Sequence, residues 1–147
     1  MRTIETYIDI QAPADKIWKI LLDFPSYPQW NPFITSVKGV PTQGEKLAIT
    51  IKLPEKGKQR FQPVCLNVTP QKELRWKGKL LTKGLFDGEH VFELQVLNKK
   101  TVRLFQREYF SGLLVPLMWK KLEPSTLQGF KLMNRKLKQR AEGQGSK

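Results

Sequence analysis

The sequence predicts an α+β domain in which a curved antiparallel sheet of about six to seven strands wraps around a long C-terminal helix. Three observations support this fold class. The middle of the chain alternates apolar and polar residues, which is the period of strands. The connections between these strands are too short to hold helices, so neighbouring strands run antiparallel. The last third repeats apolar residues with helical spacing, and it is the only long amphipathic element that can cover the sheet.

The chain begins with a strand followed by a helix. Residues 1–10 alternate apolar and polar side chains, which predicts a half-exposed strand. Residues 13–24 place apolar residues on one stripe, with Pro13 at the first helical position and Pro25 after the last. We therefore expect one or two short helices after the first strand, of which this is the clearest.

The stretch 24–33 (FPSYPQWNPF) has an aromatic residue at every third position and three prolines. Residues that precede proline, among them Tyr27, disfavour the α conformation, so any helix here is expected to be short and broken. A docking peptide for a partner is the alternative, but an exposed stripe of aromatic residues is a liability in a monomer. We predict that Phe24 and Trp30 are core residues and that Tyr27 and Phe33 lie nearer a cavity.

The remaining elements are a series of strands and one helix. The clearest strands are predicted in the segments 47–53, 61–68, 73–81, 86–96 and 102–110. A long helix is predicted from Leu117 to Ala141, and Pro124 inside it predicts a kink or two helical pieces that meet there. The chain is therefore expected to form a single domain at 1–141 with a flexible tail at 142–147.

The composition excludes several classes of protein. A chain of 147 residues with 39% hydrophobic residues suits one globular domain. Its apolar runs are too short to span a membrane and its N-terminus lacks the apolar core of a signal peptide, so a cytoplasmic protein is predicted. The only His (His90) and the only Cys (Cys65) lie on different predicted strands, so we expect no metal site. Without a glycine-rich nucleotide-binding motif, no cofactor is expected.

The net charge of +13 raises the affinity for anionic partners or serves only solubility. Strand parity sends Trp76 to the apolar face of its strand, and it sends Arg75, Lys77 and Lys79 to the other face. Nucleic-acid-binding strands interleave exposed aromatic residues with basic ones. No specific nucleic acid is therefore expected as a partner.

Contact with an anionic membrane is a second interpretation of the charge. The segment 113–121 (LLVPLMWKK) places apolar residues beside lysines, as interfacial segments do. Four basic residues flank one loop: Lys52, Lys56, Lys58 and Arg60. The alternative, which we favour from the sequence, is that residues 113–119 form a buried connection that caps a cavity. A weak membrane contact is left open.

Five segments carry a resemblance to a known family: IDIQAPADKIWKILLDFPSYPQWNPFI, FQPVCLNVTPQKELRWKG, FDGEHVFEL, REYFSGLL and GFKLMNRKLKQRAE. In this order the chain resembles the SRPBCC superfamily, which includes START domains and birch-pollen-allergen-like proteins. Within it, the chain is most similar to bacterial polyketide cyclase/dehydrase-like proteins, many of them of unassigned activity. The resemblance covers nearly the whole chain. It implies a helix-grip fold whose deep apolar cavity, between sheet and helix, binds a hydrophobic molecule.

Strand parity and the helical stripe predict which residues face this cavity. Three of them are polar: His90, Gln106 and Glu108. A His beside a Glu in an apolar cavity can perform general acid–base chemistry, such as cyclising or dehydrating a polyketide-like carbonyl compound. The two can instead orient the polar head group of a ligand or form a purely structural pair. The predicted cavity residues are Tyr27, Phe33, Ile49, Ile51, Phe61, Trp76, His90, Phe92, Leu104, Gln106, Glu108, Phe110, Phe130 and Met133.

The sequence therefore predicts a non-catalytic domain that binds, transports or sequesters a small hydrophobic or lipid-like molecule. An enzyme of the cyclase/dehydratase type, with His90 and Glu108 as acid and base, is the first alternative. A basic module associated with an anionic membrane or nucleic acid is the second. An apolar cavity limits the volume of a ligand without naming it, so the ligand and the oligomeric state are left open.

Overall fold

The structure is a computed structural model that describes residues 1–54, 56–80 and 84–143. Two short elements follow the first helix: a 3₁₀ turn at Phe24–Ser26 and a single helical turn, α2. The named elements of these residues are, in chain order, β1 (Arg2–Ile10), α1 (Ala14–Leu22), α2 (Tyr27–Trp30), β2 (Ile34–Lys38), β3 (Ala48–Leu53), β4 (Gly57–Phe61), β5 (Val64–Thr69), β6 (Glu73–Leu80), β7 (Phe86–Val96), β8 (Val102–Ser111) and α3 (Val115–Ala141).

The strands form two antiparallel sheets that meet at their edges. One has the order β1-β8-β7-β6-β5 and the other the order β2-β3-β4. An isolated bridge between Lys46 and Val64 joins them. The Leu47 amide also donates to the Pro63 carbonyl at 2.8 Å, and the Cys65 amide donates to the Glu45 carbonyl at 2.8 Å. The two sheets therefore continue into one another and enclose a common interior.

Helix α3 fills this interior along one side. Its buried residues recur three and four positions apart and include Leu122, Thr126, Phe130, Met133 and Leu137. The four apolar ones belong to the same hydrophobic core as the inward-facing residues of both sheets. The predicted fold class is confirmed, because antiparallel sheets wrapped around a long C-terminal helix constitute a helix-grip α+β fold.

The number of strands exceeds the predicted six to seven, because the described residues contain eight. The pattern does not predict β2 (ITSVK) or β4 (GKQRF), since β4 has one apolar side chain and both strands are only five residues long. The predicted strand at 61–68 is divided between β4 and β5. Pro63 lies at the division, where it cannot donate a hydrogen bond to a neighbouring strand.

Two segments that contain proline are more helical than the sequence predicts. Helix α3 is continuous across Pro124, so it does not consist of two pieces. Tyr27 precedes Pro28 yet has φ −53° and ψ −42°, which is the α conformation. Its side chain is fully buried, and its phenol donates to the Leu21 carbonyl at 2.6 Å, so tertiary packing overrides the local preference. Asn31, which also precedes a proline, is extended as predicted.

Three parts of the predicted elements lie outside the described residues. They are residues 144–147 of the predicted tail, residue 55 of the turn predicted after β3, and residues 81–83 at and after the end of the strand predicted at 73–81. In the ranges that are described, no helix is both long enough and apolar enough to cross a membrane.

Arginine residues on the outer face of the larger sheet pair with acidic residues of the same strand or of neighbouring strands. Arg75 contacts both Glu73, at 3.0 Å, and Glu89. The hydrogen bond from Arg75 holds the pKa of Glu73 below its usual value of 4.5. Arg103 with Asp9, and Arg107 with Glu5 and Glu93, form similar pairs. The acidic residues of this face are thus largely matched by arginines.

We expect Glu73→Gln to weaken the dependence of stability on pH in the acid range. The ionised Glu73 stabilises the folded state above pH 4.5, and this contribution is lost as pH falls through the lowered pKa of the folded state. Because the pair is partly exposed, the effect should not exceed about 1 kcal/mol. Urea unfolding between about pH 3 and pH 7 measures it.

The control variant is Glu45→Gln, since Glu45 is exposed and its side chain has no ion-pair partner in the described part of the chain. A pH profile that changes equally in both variants would contradict a specific contribution from the pair of Glu73 with Arg75.

Candidate ligand-binding cavity

A cavity of about 160 Å³ lies between the two sheets and α3. A dry apolar cavity of about 150 Å³ is large enough for benzene, so the enclosed space suits one aromatic ring. Exposed residues at its rim, Lys56, Lys79 and Met118, mark an opening to solvent. The other residues that line it are Phe33, Ile34, Ile49, Ile51, Leu53, Gln59, Phe61, Trp76, Gly78, Phe86, Gly88, His90, Glu108, Phe110, Leu122 and Thr126.

The structure brings part of the predicted set together around this cavity. Eight of the fourteen predicted residues line it: Phe33, Ile49, Ile51, Phe61, Trp76, His90, Glu108 and Phe110. The other six are fully buried and do not line it: Tyr27, Phe92, Leu104, Gln106, Phe130 and Met133. Parity identifies the interior side of a strand, but it does not tell how far along the strand the cavity extends. These six residues pack in the core instead.

Several lining residues are absent from the sequence-based set. Met118, Leu122 and Thr126 follow one another at four-residue spacing on α3, and this spacing is the signal from which they could have been found. Gly78 and Gly88 are paired directly across β6 and β7. Because these glycines have no side chain, they leave room in the cavity wall. A single sequence does not indicate which glycines have this effect.

The segment before α3 differs from the favoured sequence interpretation. Val115 is buried, but Leu113 is 79% exposed, Leu117 is 82% exposed and Met118 is 42% exposed. The prediction that residues 113–119 form a buried connection is therefore wrong for three of its apolar residues. Helix α3 begins at Val115, and successive helical positions point in different directions, so this turn presents both a buried and an exposed side.

His90 is held among aromatic rings and carries two polar partners. Its ring stacks on Trp76, the residue opposite on β6, with centroids 5.4 Å apart and planes inclined by 20°. Nδ1 lies 3.1 Å from Oε1 of Glu108, which is opposite on β8. Nε2 lies 3.1 Å from Oε1 of Gln106. His90 is only 4% exposed, so both ring nitrogens depend on these partners for hydrogen bonds.

Two backbone carbonyls fix the direction of the hydrogen bonds behind Gln106. The Gln106 side-chain amide donates to Oδ1 of Asn134 at 2.7 Å and to the Phe130 carbonyl at 3.4 Å. A carbonyl accepts only, so the NH₂ group of Gln106 must point towards α3. At the far end, Nδ2 of Asn134 donates to Thr6 at 2.9 Å, and the Thr6 hydroxyl donates to the Gln106 backbone carbonyl at 3.1 Å.

The orientation of the Gln106 amide determines that Nε2 of His90 carries a proton. Oε1 of Gln106 faces Nε2 and can only accept, so Nε2 carries a proton. The short distance between Nδ1 and Oε1 of Glu108 then requires one more proton, bound either to Nδ1 or to Oε1. In both arrangements the second oxygen of Glu108, Oε2, has lone pairs and no proton. The cavity therefore contains a hydrogen-bond acceptor at Oε2.

Gly88 makes room for this acceptor. A Cβ atom at Gly88 would overlap Oε2 of Glu108, so the carboxyl group lies against a backbone without a side chain. Glu108 retains 18% side-chain exposure, in contrast with 5% for His90. Both residues line the cavity, and the carboxyl group is the more accessible of the two.

No group of three or more His, Cys, Asp or Glu residues in the described ranges has the geometry to hold a metal ion. The two polar lining residues that hydrogen-bond to each other are Glu108 and His90, and other polar side chains in the lining are Gln59, Thr126, Lys56 and Lys79.

The fold and cavity define a helix-grip domain of the SRPBCC superfamily, a class in which the sheet and the C-terminal helix enclose an apolar interior. Residues 1–142 match the family model described as polyketide cyclase / dehydrase and lipid transport, and the chain belongs to this family. A search of the curated proteins finds no match to the chain.

Solved structures share the fold at low sequence identity. The Zhui aromatase/cyclase from Streptomyces sp. R1128 has a TM-score of 0.79 at 16% identity, with 96% of this chain and 93% of that chain covered. Protein MLL2253 from Mesorhizobium loti has a TM-score of 0.76 at 19% identity, with 98% and 99% covered. A START superfamily protein from Mycobacterium smegmatis has a TM-score of 0.72 at 21% identity, with 96% and 97% covered. Such identities show a common fold and not a common activity.

Proposed function

We propose that the protein binds a small hydrophobic molecule that carries a hydroxyl or amine donor, and that Glu108 accepts the hydrogen bond from this donor. The observation that carries the proposal is the accessible acceptor at Oε2, which stands among apolar walls. An unpaired acceptor in an apolar site favours a ligand that brings its own donor, because a ligand without one leaves the acceptor unsatisfied. Binding alone is enough for sequestration of such a molecule, and transport requires its release in addition.

The volume limits the ligand. A cavity of about 160 Å³ holds a body about the size of one ring, such as that of a phenol. A longer apolar chain attached to this body has to extend through the opening near Lys56 and Met118. The proposal therefore favours a single-ring or short-chain molecule over one that must be enclosed along several fused rings.

Titration with benzene and phenol tests this proposal. We expect the wild-type protein to bind both, with phenol at least about tenfold tighter, because a hydrogen bond to a charged or strongly polar group contributes about 1.5–3 kcal/mol. Shifts of backbone amide resonances in NMR spectra measure both affinities and locate the ligand. In Glu108→Leu, phenol should lose its advantage while benzene continues to bind.

The two probes separate the parts of the proposal. Failure of both to bind the wild-type protein would contradict a ligand cavity at this position. Equal affinities for phenol and benzene would leave the cavity in place and reject the donor requirement. Retention of benzene by the variant serves as the control for folding.

An enzyme of the cyclase/dehydratase type is the second candidate, and the 3.1 Å contact between His90 and Glu108 favours it. Such a pair can remove a proton beside a carbonyl and return one to a departing hydroxyl group. Dehydration of a small β-hydroxyketone to its enone, followed by absorbance, tests this. Acceleration that is lost in His90→Ala favours the enzyme. Binding without acceleration favours a non-catalytic protein.

A further inference from the structure

An exposed apolar surface adjoins the opening of the cavity. Leu113 and Leu117 are among the most exposed apolar residues of the described chain, at 79% and 82%. Met118 is exposed and also lines the cavity, so the surface and the opening share a side chain. The segment is fixed in place, because the amides of Leu113 and Leu114 donate to the carbonyls at 84 and 85, at 3.1 Å and 2.9 Å. This surface is therefore a defined part of the fold.

Lysine residues surround these apolar side chains. Lys120 and Lys121 are exposed and lie three and four positions after Leu117, which places them on the same side of α3. Lys56 approaches from the turn between β3 and β4 and lines the opening. That turn is tied to α3, since the Ser125 hydroxyl donates to the Pro54 carbonyl at 3.1 Å.

The charges of these lysines have no acidic partner within the ranges 1–54, 56–80 and 84–143. Among the described residues, Lys56, Lys120 and Lys121 take part in no ion pair, whereas the arginines of the outer sheet face are paired with acids. Positive charge beside exposed leucine is the composition of segments that lie in the interface of an anionic bilayer, where the apolar side chains insert and the lysines contact phosphates.

We propose that Leu113, Leu117, Met118, Lys56, Lys120 and Lys121, together called the opening face, dock on an anionic lipid surface. Docking in this orientation places the opening of the cavity against the membrane. The inference concerns an interaction surface and does not depend on the identity of the cavity ligand, because Leu113, Leu117, Lys120 and Lys121 do not line the cavity.

Other occupants fit the opening face less well. A second copy of the chain would bring the same lysines together, and each chain carries a net charge of +13. Nucleic acid would satisfy the lysines but leave the leucines exposed. The two tryptophans nearest the opening in the described part of the chain offer no free ring for stacking bases, since Trp76 is only 2% exposed and Trp119 is partly buried.

Sedimentation with lipid vesicles tests the proposal. We expect the protein to bind vesicles of phosphatidylcholine that contain about one third phosphatidylglycerol, to bind pure phosphatidylcholine weakly, and to dissociate as salt is raised. Lys120→Glu with Lys121→Glu should lower the partition coefficient at least about tenfold, because each lysine near an anionic surface contributes severalfold to binding. Leu117→Ser should also weaken binding severalfold.

Matched control variants lie at the other end of the sheet. Lys99→Glu with Lys100→Glu changes the net charge by the same amount, and Leu97→Ser replaces a leucine that is 41% exposed. These control residues lie in the turn that connects β7 to β8. Strand β7 runs eleven residues from Phe86, which lines the cavity, to Val96, so this turn lies about 30 Å from the opening. These variants should retain most of the binding.

Each contrary result overturns the proposal. Equal losses of vesicle binding in the opening-face variants and in the control variants would show that net charge alone drives binding. Unchanged vesicle binding by the opening-face variants would exclude this surface. Stronger binding to single-stranded RNA than to the anionic vesicles, lost in the same lysine variant, would assign the face to nucleic acid. An unchanged far-ultraviolet circular dichroism spectrum of every variant is the control for folding, and a failure of docking leaves the proposed ligand site unaffected.

Discussion

Gly88→Ala is expected to remove the preference for phenol over benzene while the domain stays folded. The added methyl group would overlap Oε2 of Glu108, so the carboxyl group must move away from its place in the cavity wall. Gly88 does not have a left-handed backbone, and alanine is therefore tolerated in its strand without backbone strain. The loss should be at least about tenfold in phenol affinity, which corresponds to one hydrogen bond to a strongly polar group. Titration by NMR measures it.

Gly78→Ala is the matched control, because Gly78 pairs with Gly88 across the strands and lines the same cavity. Its methyl group would meet Pro63 at 3.2 Å and Phe61 at 3.4 Å, and its three nearest atoms are all carbon. If both variants lose phenol and benzene equally, the effect is one of volume and not of the position of Glu108. Unchanged phenol affinity in Gly88→Ala would contradict the role assigned to this carboxyl group.

Gly112→Ala is expected to destabilise the protein by about 3 kcal/mol or more. Gly112 has φ +124°, a conformation that costs other residues about 1–3 kcal/mol. A Cβ atom would also overlap the backbone carbonyl of Leu85, which cannot rotate away as a side chain can. Gly112 immediately precedes Leu113 and Leu114, whose amides donate to the carbonyls at 84 and 85. These hydrogen bonds hold the start of α3 beside the start of β7. Urea unfolding followed by circular dichroism measures the loss.

Gly44→Ala separates backbone strain from overlap. Gly44 has φ +90°, but a Cβ atom there would meet nothing within 4 Å. We therefore expect this variant to lose only the strain contribution, and thus clearly less stability than Gly112→Ala. Equal losses would mean that the contact with Leu85 adds no cost.

The sequence was sufficient for the interior side of the strands, because that side follows from a two-residue period. Trp76, His90 and Glu108 occupy adjacent strands at registered positions, and parity alone places them on one face. The core residues Phe92 and Leu104 obey the same parity without reaching the cavity. The boundary between core and cavity depends on the curvature of the sheet and on the position of α3, and neither quantity has a local signal.

Other features could not be predicted for different physical reasons. Strand β4 is stabilised by its pairing with β3 and has little apolar pattern of its own. The α conformation of Tyr27 depends on a hydrogen bond to Leu21 and on a fully buried ring, both of which are tertiary. The importance of Gly88 depends on where the Glu108 side chain turns, which is a distance in space and not a property of either residue type.

The hydrogen bonds behind His90 connect the two ends of the chain. Thr6 lies on the first strand and Asn134 near the end of the last helix, 128 positions apart in sequence. The orientation of the Gln106 amide, and hence the proton that His90 carries on Nε2, depends on α3 being docked. A chain that lacks this helix would also lack one wall of the cavity, because Met118, Leu122 and Thr126 line it. Formation of the ligand site and of the hydrogen bonds behind His90 is therefore a single event with the docking of α3.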